Sequence, residues 1–510
     1  MDWTAARAWS VASLVRVLVV SALLLFSSAS VAGKSAVFHV RRRFTGREGG
    51  LGELRAHDSR RHGRILAAVD LPLGGLGLPS SAGLYFAQIG IGTPSKDYYV
   101  QVDTGSDLMW VNCVQCKRCP KRSDLGIDLT LYDPNSSSTS SLVTCDKEFC
   151  AATYGNDIQG CTPGVLCDYS VTYGDGSATS GYFVTDHLHY SQVTGNNQTR
   201  QNNANITFGK VLLLTSGFIH FFNFLACGAQ QSGDLGSSSS AVDGILGFGQ
   251  SNSSMISQLA SSGKVRKIFA HCLDTVNGGG IFTIGHVVQP KVNTTPLVPQ
   301  QPHYNVNMKA IEVDGKFLQL PSDIFDIGER KGTVIDSGTT LAYLPEVAYK
   351  PLMAAITSFQ PNLTIETIQD FLCFRYAEDV DYGFPIVTLH FENSLLLRVY
   401  PHEYLFSYRD GIWCYGWQNG AVQSKEGKEM FLLGDLVLSN KLVLYDLEKQ
   451  EIGWTEYNCS SSIRVQDDRT GEVFTVNAHN ISSGLALVTE RFVLLLLLAM
   501  STLLTTFLIV

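Results

Sequence analysis

The sequence predicts an all-β chain built as two related lobes, and three observations carry that expectation. Charged residues make up 16% of the chain, below the roughly 25% of an ordinary globular protein, while Gly, Ser, Thr and β-forming residues are abundant. Short runs such as "YFAQIGIG", "YYVQVDTG", "CDYSVTYGDG", "GYFVTDHLHY", "HYNVNMKAIEVDG" and "KLVLYDLEKQEIGWTE" recur between residues 84 and 456, separated by Gly, Asn, Asp, Ser and Pro. Several alternate apolar with polar residues, as half-buried antiparallel strands do. Finally, "VQVDTGSDLMWV" at 100–111 and "TVIDSGTTLAYL" at 333–344 share one plan, and each is followed later by two apolar residues and a Gly, in "DGILGFG" (243–249) and "FLLGDLV" (431–437). A paired repeat at that distance implies two lobes related by duplication or symmetry. Helical patterns are few: one follows Pro345 in "PEVAYKPLMAAITSF", and a shorter one lies near 255–259.

The lobes are expected at 83–294 and 295–459, with flanking segments of other kinds. Residues 1–32 place Arg7 and Arg16 ahead of an apolar run and end in Ser30-Val31-Ala32, the pattern of a cleaved secretory signal; the alternative, a membrane anchor, needs a longer apolar core. Residues 33–69 are basic: 34–64 hold nine Lys/Arg against three acids, whereas 70–510 hold 27 against 42. On charge alone this leader is either a solvated arm or a propeptide held by attraction and released when acid neutralises the body. The segment 460–482 is expected as a stalk. Beyond it, 483–510 end in an apolar tail with no Lys or Arg after it, preceded by Ser482-Ser483-Gly484. That arrangement fits a glycosylphosphatidylinositol signal with Ser482 as attachment point and Ser483 second; a terminal transmembrane helix, the alternative, usually carries basic residues on its cytoplasmic side.

Secretion agrees with the cysteines. Cys113, Cys116, Cys119, Cys145, Cys150, Cys161, Cys167, Cys227, Cys272, Cys373, Cys414 and Cys459 allow up to six disulfides, with connectivity left open. The spacing of "CVQCKRC" also suits zinc, but no matching His/Cys group lies nearby. Acceptor sites for N-glycosylation occur at Asn135, Asn197, Asn205, Asn252, Asn293, Asn362 and Asn480; Asn458 abuts Cys459 and is set aside. His187, His189, His271 and His303 form no metal-ligand pattern, and "IGIGTP" lacks the Lys and helix of a phosphate loop. No G-x-S-x-G or H-E-x-x-H sequence is present. We therefore expect no metal, no cofactor and no nucleic-acid partner.

The repeated motif carries the chemistry. Asp103 ends a strand at a turn where Gly105 permits close approach, and the hydroxyls of Thr104 and Ser106 can orient its carboxylate or reach the partner loop. Asp336 has the same equipment in Ser337, Gly338 and Thr339. One Asp-Thr-Gly is an ordinary turn; two, each in strand-turn context and each trailed by the apolar-apolar-Gly element, are specific. At ~4 Å and an effective dielectric of about 20, two carboxylates repel by roughly 4 kcal/mol, about three pKa units. Such a pair shares a proton, one member serving as base toward water and the other as acid toward a carbonyl or leaving amine. The reaction expected is metal-free hydrolysis of a peptide bond, favoured in acid.

With those motifs in place, residues 83–459 resemble the pepsin-type aspartic proteases, and the cysteine-rich first lobe looks most like the plant nepenthesin-like branch, including members with a lipid-anchor tail. The resemblance implies a bilobal fold with a central active-site cleft, made as a zymogen, monomeric, and acting on polypeptide substrates. It implies a flap whose tip is "TYGDGS", with Tyr173, Gly174 and Asp175 over the substrate and Trp110 supporting Tyr173. Ser337 stands where many members carry Thr, so the hydroxyl is kept. A binding or inhibitory protein on the same fold is the alternative function.

Overall fold

The computed structural model describes residues 67–481 except 77–83, 115, 117, 156–157, 175, 212–229, 233–234, 236–240, 327–331, 421–429 and 469. The expected signal, the propeptide up to residue 66, Asp175, Cys227, Ser482 and the apolar tail lie outside the described residues. Among the described residues no helix is long and apolar enough to cross a membrane.

Antiparallel pairing dominates, as the period-two patterning requires. Strand Leu84–Ile91 turns back on Lys96–Asp103 with Phe86 opposite Gln101, which delivers Asp103 to the end of a strand. Strand Ala178–Gly195 runs against Gln198–Val211 over almost its whole length. Behind Asp103 lies Gly244–Gly247, parallel to the Asp strand with Gly247 opposite Asp103. The second lobe repeats the device: Phe431–Leu433 lies parallel to Thr333–Ile335, with Leu433 opposite Ile335. The two apolar-apolar-Gly elements are thus the strands that back the two Asp turns.

The chain is a bilobal all-β molecule whose halves share a sheet. Asn293–Pro296, Glu451–Glu456, Lys441–Asp446, Ile268–Leu273, Gly280–Ile284 and Val69–Leu71 pair in that order and continue into Ala178–Gly195. Above this sheet Phe269 stacks on Tyr445 with ring centroids 4.4 Å apart, Tyr304 meets Tyr445 at 4.7 Å and Phe248 meets Phe282 at 4.9 Å. Burying each ring stabilises by about 2–3 kcal/mol, so this aromatic layer is a stiff floor for whatever it carries. Three smaller sheets of five, four and four strands complete the second lobe. The helix expected after Pro345 is Glu346–Thr357, burying Ala348, Leu352, Met353 and Ile356 on one face. Met255–Ser261 is the other, its N-terminus capped by Ser254 Oγ accepting from Ser257 N.

Among the described residues five disulfides form: Cys116–Cys119, Cys145–Cys161, Cys150–Cys167, Cys272–Cys459 and Cys373–Cys414. The "CVQCKRC" cluster therefore supplies a disulfide, not a zinc site, and its remaining member, Cys113, is buried. The seven expected glycosylation residues are all exposed, although Asn480 Nδ2 donates to the Asn277 carbonyl.

Two expected boundaries fall inside folded structure. The basic propeptide expected over 33–69 overlaps the fold at its end: Ala67 and Ala68 are buried and Val69–Leu71 pairs on both sides, with Gly280–Ile284 and with Ala178–Gly195. The stalk expected over 460–482 is instead folded: Ile463–Gln466 and Val473–Val476 form a hairpin that pairs with His286–Gln289 and buries Ile463, Val465 and Val476. Further on, His479 and Gly280 exchange backbone hydrogen bonds, Ile481 N donates to Leu73 O, and the His479 ring contacts the Asp70 carboxylate at 2.9 Å. The segment is a strap across the first strands. Its alternating pairs "IRV" and "VFTV" are too short to stand out beside polar loops, and their burial comes from a sheet edge nearly two hundred residues earlier.

Candidate active site

Both Asp turns meet where the lobes join. Asp103 and Asp336 are 5% and 8% exposed, and each carboxyl lies over the glycine of the opposite turn. A β-carbon on Gly105 would fall within contact of both Asp336 carboxyl oxygens, and one on Gly338 would strike Asp103 Oδ1. Glycine is required at both positions because the other lobe's carboxyl fills the space.

Local donors hold each carboxylate. Asp103 Oδ1 accepts from Gly105 N at 2.8 Å and Ser106 N at 3.2 Å, and Ser106 Oγ donates to Oδ2. Asp336 Oδ1 accepts from Gly338 N at 2.7 Å and Oδ2 from Thr339 Oγ1 at 2.6 Å. Thr104 Oγ1 instead reaches across the lobes and accepts from Ser337 N at 2.8 Å. The reverse bond is not made, since Ser337 Oγ is buried with no hydrogen-bond partner among the described residues. Sequence reasoning gave the two hydroxyls equal standing; the structure uses one as a bridge.

Burial, and then the neighbouring charge of Asp336, push the Asp103 carboxyl well above the ordinary carboxylate range, against the opposing effect of its three hydrogen bonds. One proton shared by the pair is the state these forces favour. A third carboxyl lies behind them: Asp435, 1% exposed, with Oδ1 unpartnered among the described residues. Burial chiefly, and the two turn aspartates after it, raise its pKa far above normal, which favours its protonated form beside the pair. Asp435 stands in the quoted "FLLGDLV"; its signal was an acid directly after the Gly of a buried strand.

The residues expected at the flap tip lie at the end of a hairpin between Asp168–Thr172 and Ala178–Gly195. Tyr173 N donates to Ser177 O across its tip, Gly174 is exposed, and Asp175 lies outside the described residues. Trp110, 2% exposed, donates its indole N–H to Tyr173 Oη at 2.7 Å. Two further residues, which the sequence motifs do not mark, hold the turns. From the second lobe, His303 Nδ1 sits 2.9 Å from Gly105 O; from the first, Gln101 Nε2 donates to Gly338 O at 3.3 Å.

Known proteins resemble this chain over most of its length. Residues 85–286 match the family model described as the xylanase inhibitor N-terminal domain, and 303–456 match its C-terminal counterpart. Aspartic proteinase 36 of Arabidopsis thaliana is 49% identical over 88% of this chain and 89% of that protein. The chain belongs to the pepsin-like aspartic proteinase family. A second Arabidopsis thaliana member, aspartic proteinase 39, is 46% identical over 91% of this chain and 93% of its own length. Among solved structures, the aspartic proteinase fold seen here is similar to that of edgp, with TM-score 0.58 and 20% identity over 77% of this chain and 95% of that one. Soybean basic 7S globulin gives TM-score 0.57 and the same identity over 77% and 96%.

Proposed function

We propose that this aspartic proteinase family member is an active endopeptidase in which Asp103 and Asp336 hydrolyse peptide bonds of polypeptide substrates at acidic pH. The observation that carries the reading is the reciprocal packing of each carboxyl over the other turn's glycine, with burial that favours a singly protonated pair. In that state the ionised carboxyl takes a proton from water as its oxygen attacks the peptide carbonyl. The protonated one gives its proton to the carbonyl oxygen, and the tetrahedral species collapses with proton transfer to the leaving amine. Tyr173, tied to Trp110, would close over the substrate from the flap.

The rival is a binding or inhibitory role on the same fold, which the xylanase-inhibitor description of the matching models suggests. That role has no need of two turns with matched carboxylates and matched donors. Purified mature protein incubated in acid with a denatured protein decides between them. Cleavage blocked by a statine-type inhibitor is expected; absence of cleavage at every pH from about 3 to 7 would leave only the rival.

We further propose secretion, N-glycosylation, removal of the basic leader and attachment of a lipid anchor at Ser482, on the support of the terminal sequence patterns. Because Val69–Leu71 is a sheet strand paired on both edges, the leader would have to be cut before residue 67. A phosphatidylinositol-specific phospholipase should release the protein from intact cells. Retention after treatment would favour a transmembrane tail.

A further inference from the structure

We infer that His303 is a positioning residue for the first Asp turn, acting through the Gly105–Ser106 peptide group; the inference rests on the catalytic reading of the dyad. Two hydrogen bonds define the path. His303 Nδ1 lies 2.9 Å from the Gly105 carbonyl oxygen, and because a carbonyl only accepts, Nδ1 carries the hydrogen. The C=O of Gly105 and the N–H of Ser106 belong to one planar unit and point in opposite directions. That N–H donates to Asp103 Oδ1 at 3.2 Å. A ring that holds the carbonyl therefore aims the N–H at the carboxylate, and bonds linked in this way polarise one another.

The mount of the imidazole is rigid. His303 O accepts from Gln250 Nε2 at 2.6 Å, and the next residue, Tyr304, is fully buried with its hydroxyl donating to Phe248 O at 2.6 Å. Phe248 N in turn donates to Asp103 O at 2.8 Å, and Gly249 N to Ser106 O at 2.9 Å. One short segment, 248–250, thus fixes both the Asp turn and the strand end that presents the ring.

The opposite turn sharpens the assignment. Gln101 reaches Gly338 O at 3.3 Å, the mirror of the His303 contact. However, the N–H of that peptide unit, on Thr339, goes to the Asp336 main-chain oxygen at 3.4 Å. Gln101 holds its turn without aiming a donor at a carboxylate, so only the His303 side carries the relay.

Three variants test this. His303→Phe keeps the ring and removes the donor, His303→Ala removes both, and His303→Asn places an amide N–H at about the reach of Nδ1. Loss of one such bond is expected to lower kcat about tenfold in the Phe and Ala variants, with KM changed less than about threefold. His303→Asn should recover kcat to within about threefold of wild type. In parallel, hydrogen exchange of the Ser106 amide should be faster in His303→Phe and His303→Ala than in wild type or His303→Asn. Wild-type kcat in both donor-less variants, no recovery by Asn, or unchanged exchange at Ser106 would each overturn the assignment. Wild-type protein that cleaves nothing would instead bring down the catalytic reading, and the exchange measurement would still decide whether His303 holds the turn.

Discussion

Asp103→Asn and Asp336→Asn are each expected to lower kcat by at least about a thousandfold, the scale of general acid-base catalysis by a positioned group, without loss of folding. Asn keeps the shape of Asp and an oxygen that can accept from the turn amides, Gly105 N and Ser106 N in one case and Gly338 N in the other. What it loses is the ability to take up or release a proton. In either variant the surviving Asp lacks the partner whose proton state completes the cycle, so the two losses should be similar and a double variant little worse than either. Folding should be preserved because substitution removes a buried, mutually repelling acid rather than a stabilising charge. The measurement is cleavage of an unfolded protein in acid, with Tm recorded for each variant. If either variant retains near wild-type cleavage, the pair is not the catalytic centre.

Legibility of the site followed how local its determinants are. Asp103 and Asp336 with their hydroxyl and glycine neighbours were readable because turn chemistry and strand periodicity occupy a dozen residues, and the motif occurs twice. The backing strands were readable for the same reason. Asp435 was quoted within its motif but not singled out, since only the closed fold shows that two other acids lie near it and that water does not. His303 was weighed as a metal ligand and dismissed; its partner, Gly105, is 198 positions away, and nothing in "PHYNV" shows that distance closing. Gln101 looked like the polar half of an alternating strand. The strap at 463–481 reads as stalk and the folded start at 67 as propeptide in the sequence, because the strands that bury them lie far away along the chain. Cysteine pairing was open for a similar reason: Cys272 and Cys459 are 187 residues apart and meet only once the shared sheet forms.

Thermal stability is expected to fall as pH rises from about 4 to about 8, by several degrees in Tm. Asp103 and Asp435 have folded-state pKa values above their unfolded ones, chiefly through burial. Below the ordinary carboxyl range both folded and unfolded chains hold these protons, and their contribution to stability is fully present. Above it the unfolded chain has released them while the folded one keeps them, so unfolding liberates protons. Each group then lowers the unfolding free energy by about 1.4 kcal/mol per pH unit until it ionises in the folded state. His479 acts in the same direction near neutrality. Its pKa is raised by the Asp70 contact, which outweighs the lowering by burial, so the strap's tie to the first strand weakens as pH climbs through that raised value. One opposing group acts inside this window: burial lowers the His271 pKa to about 3, so it offsets one carboxyl up to the ordinary histidine range, while Asp243, which burial raises to about 7, adds to the fall. Asp274, held below its usual range by bonds from Ser460 and Asn277 against the effect of burial, loses its contribution only as pH drops through that depressed value, in strong acid. Calorimetric Tm values at constant ionic strength across this range give the slope, and Asp435→Asn should flatten it by removing one of the retained protons. A Tm that rises toward pH 8, or a slope indifferent to Asp435→Asn, would show that these carboxyls are not held neutral by the fold.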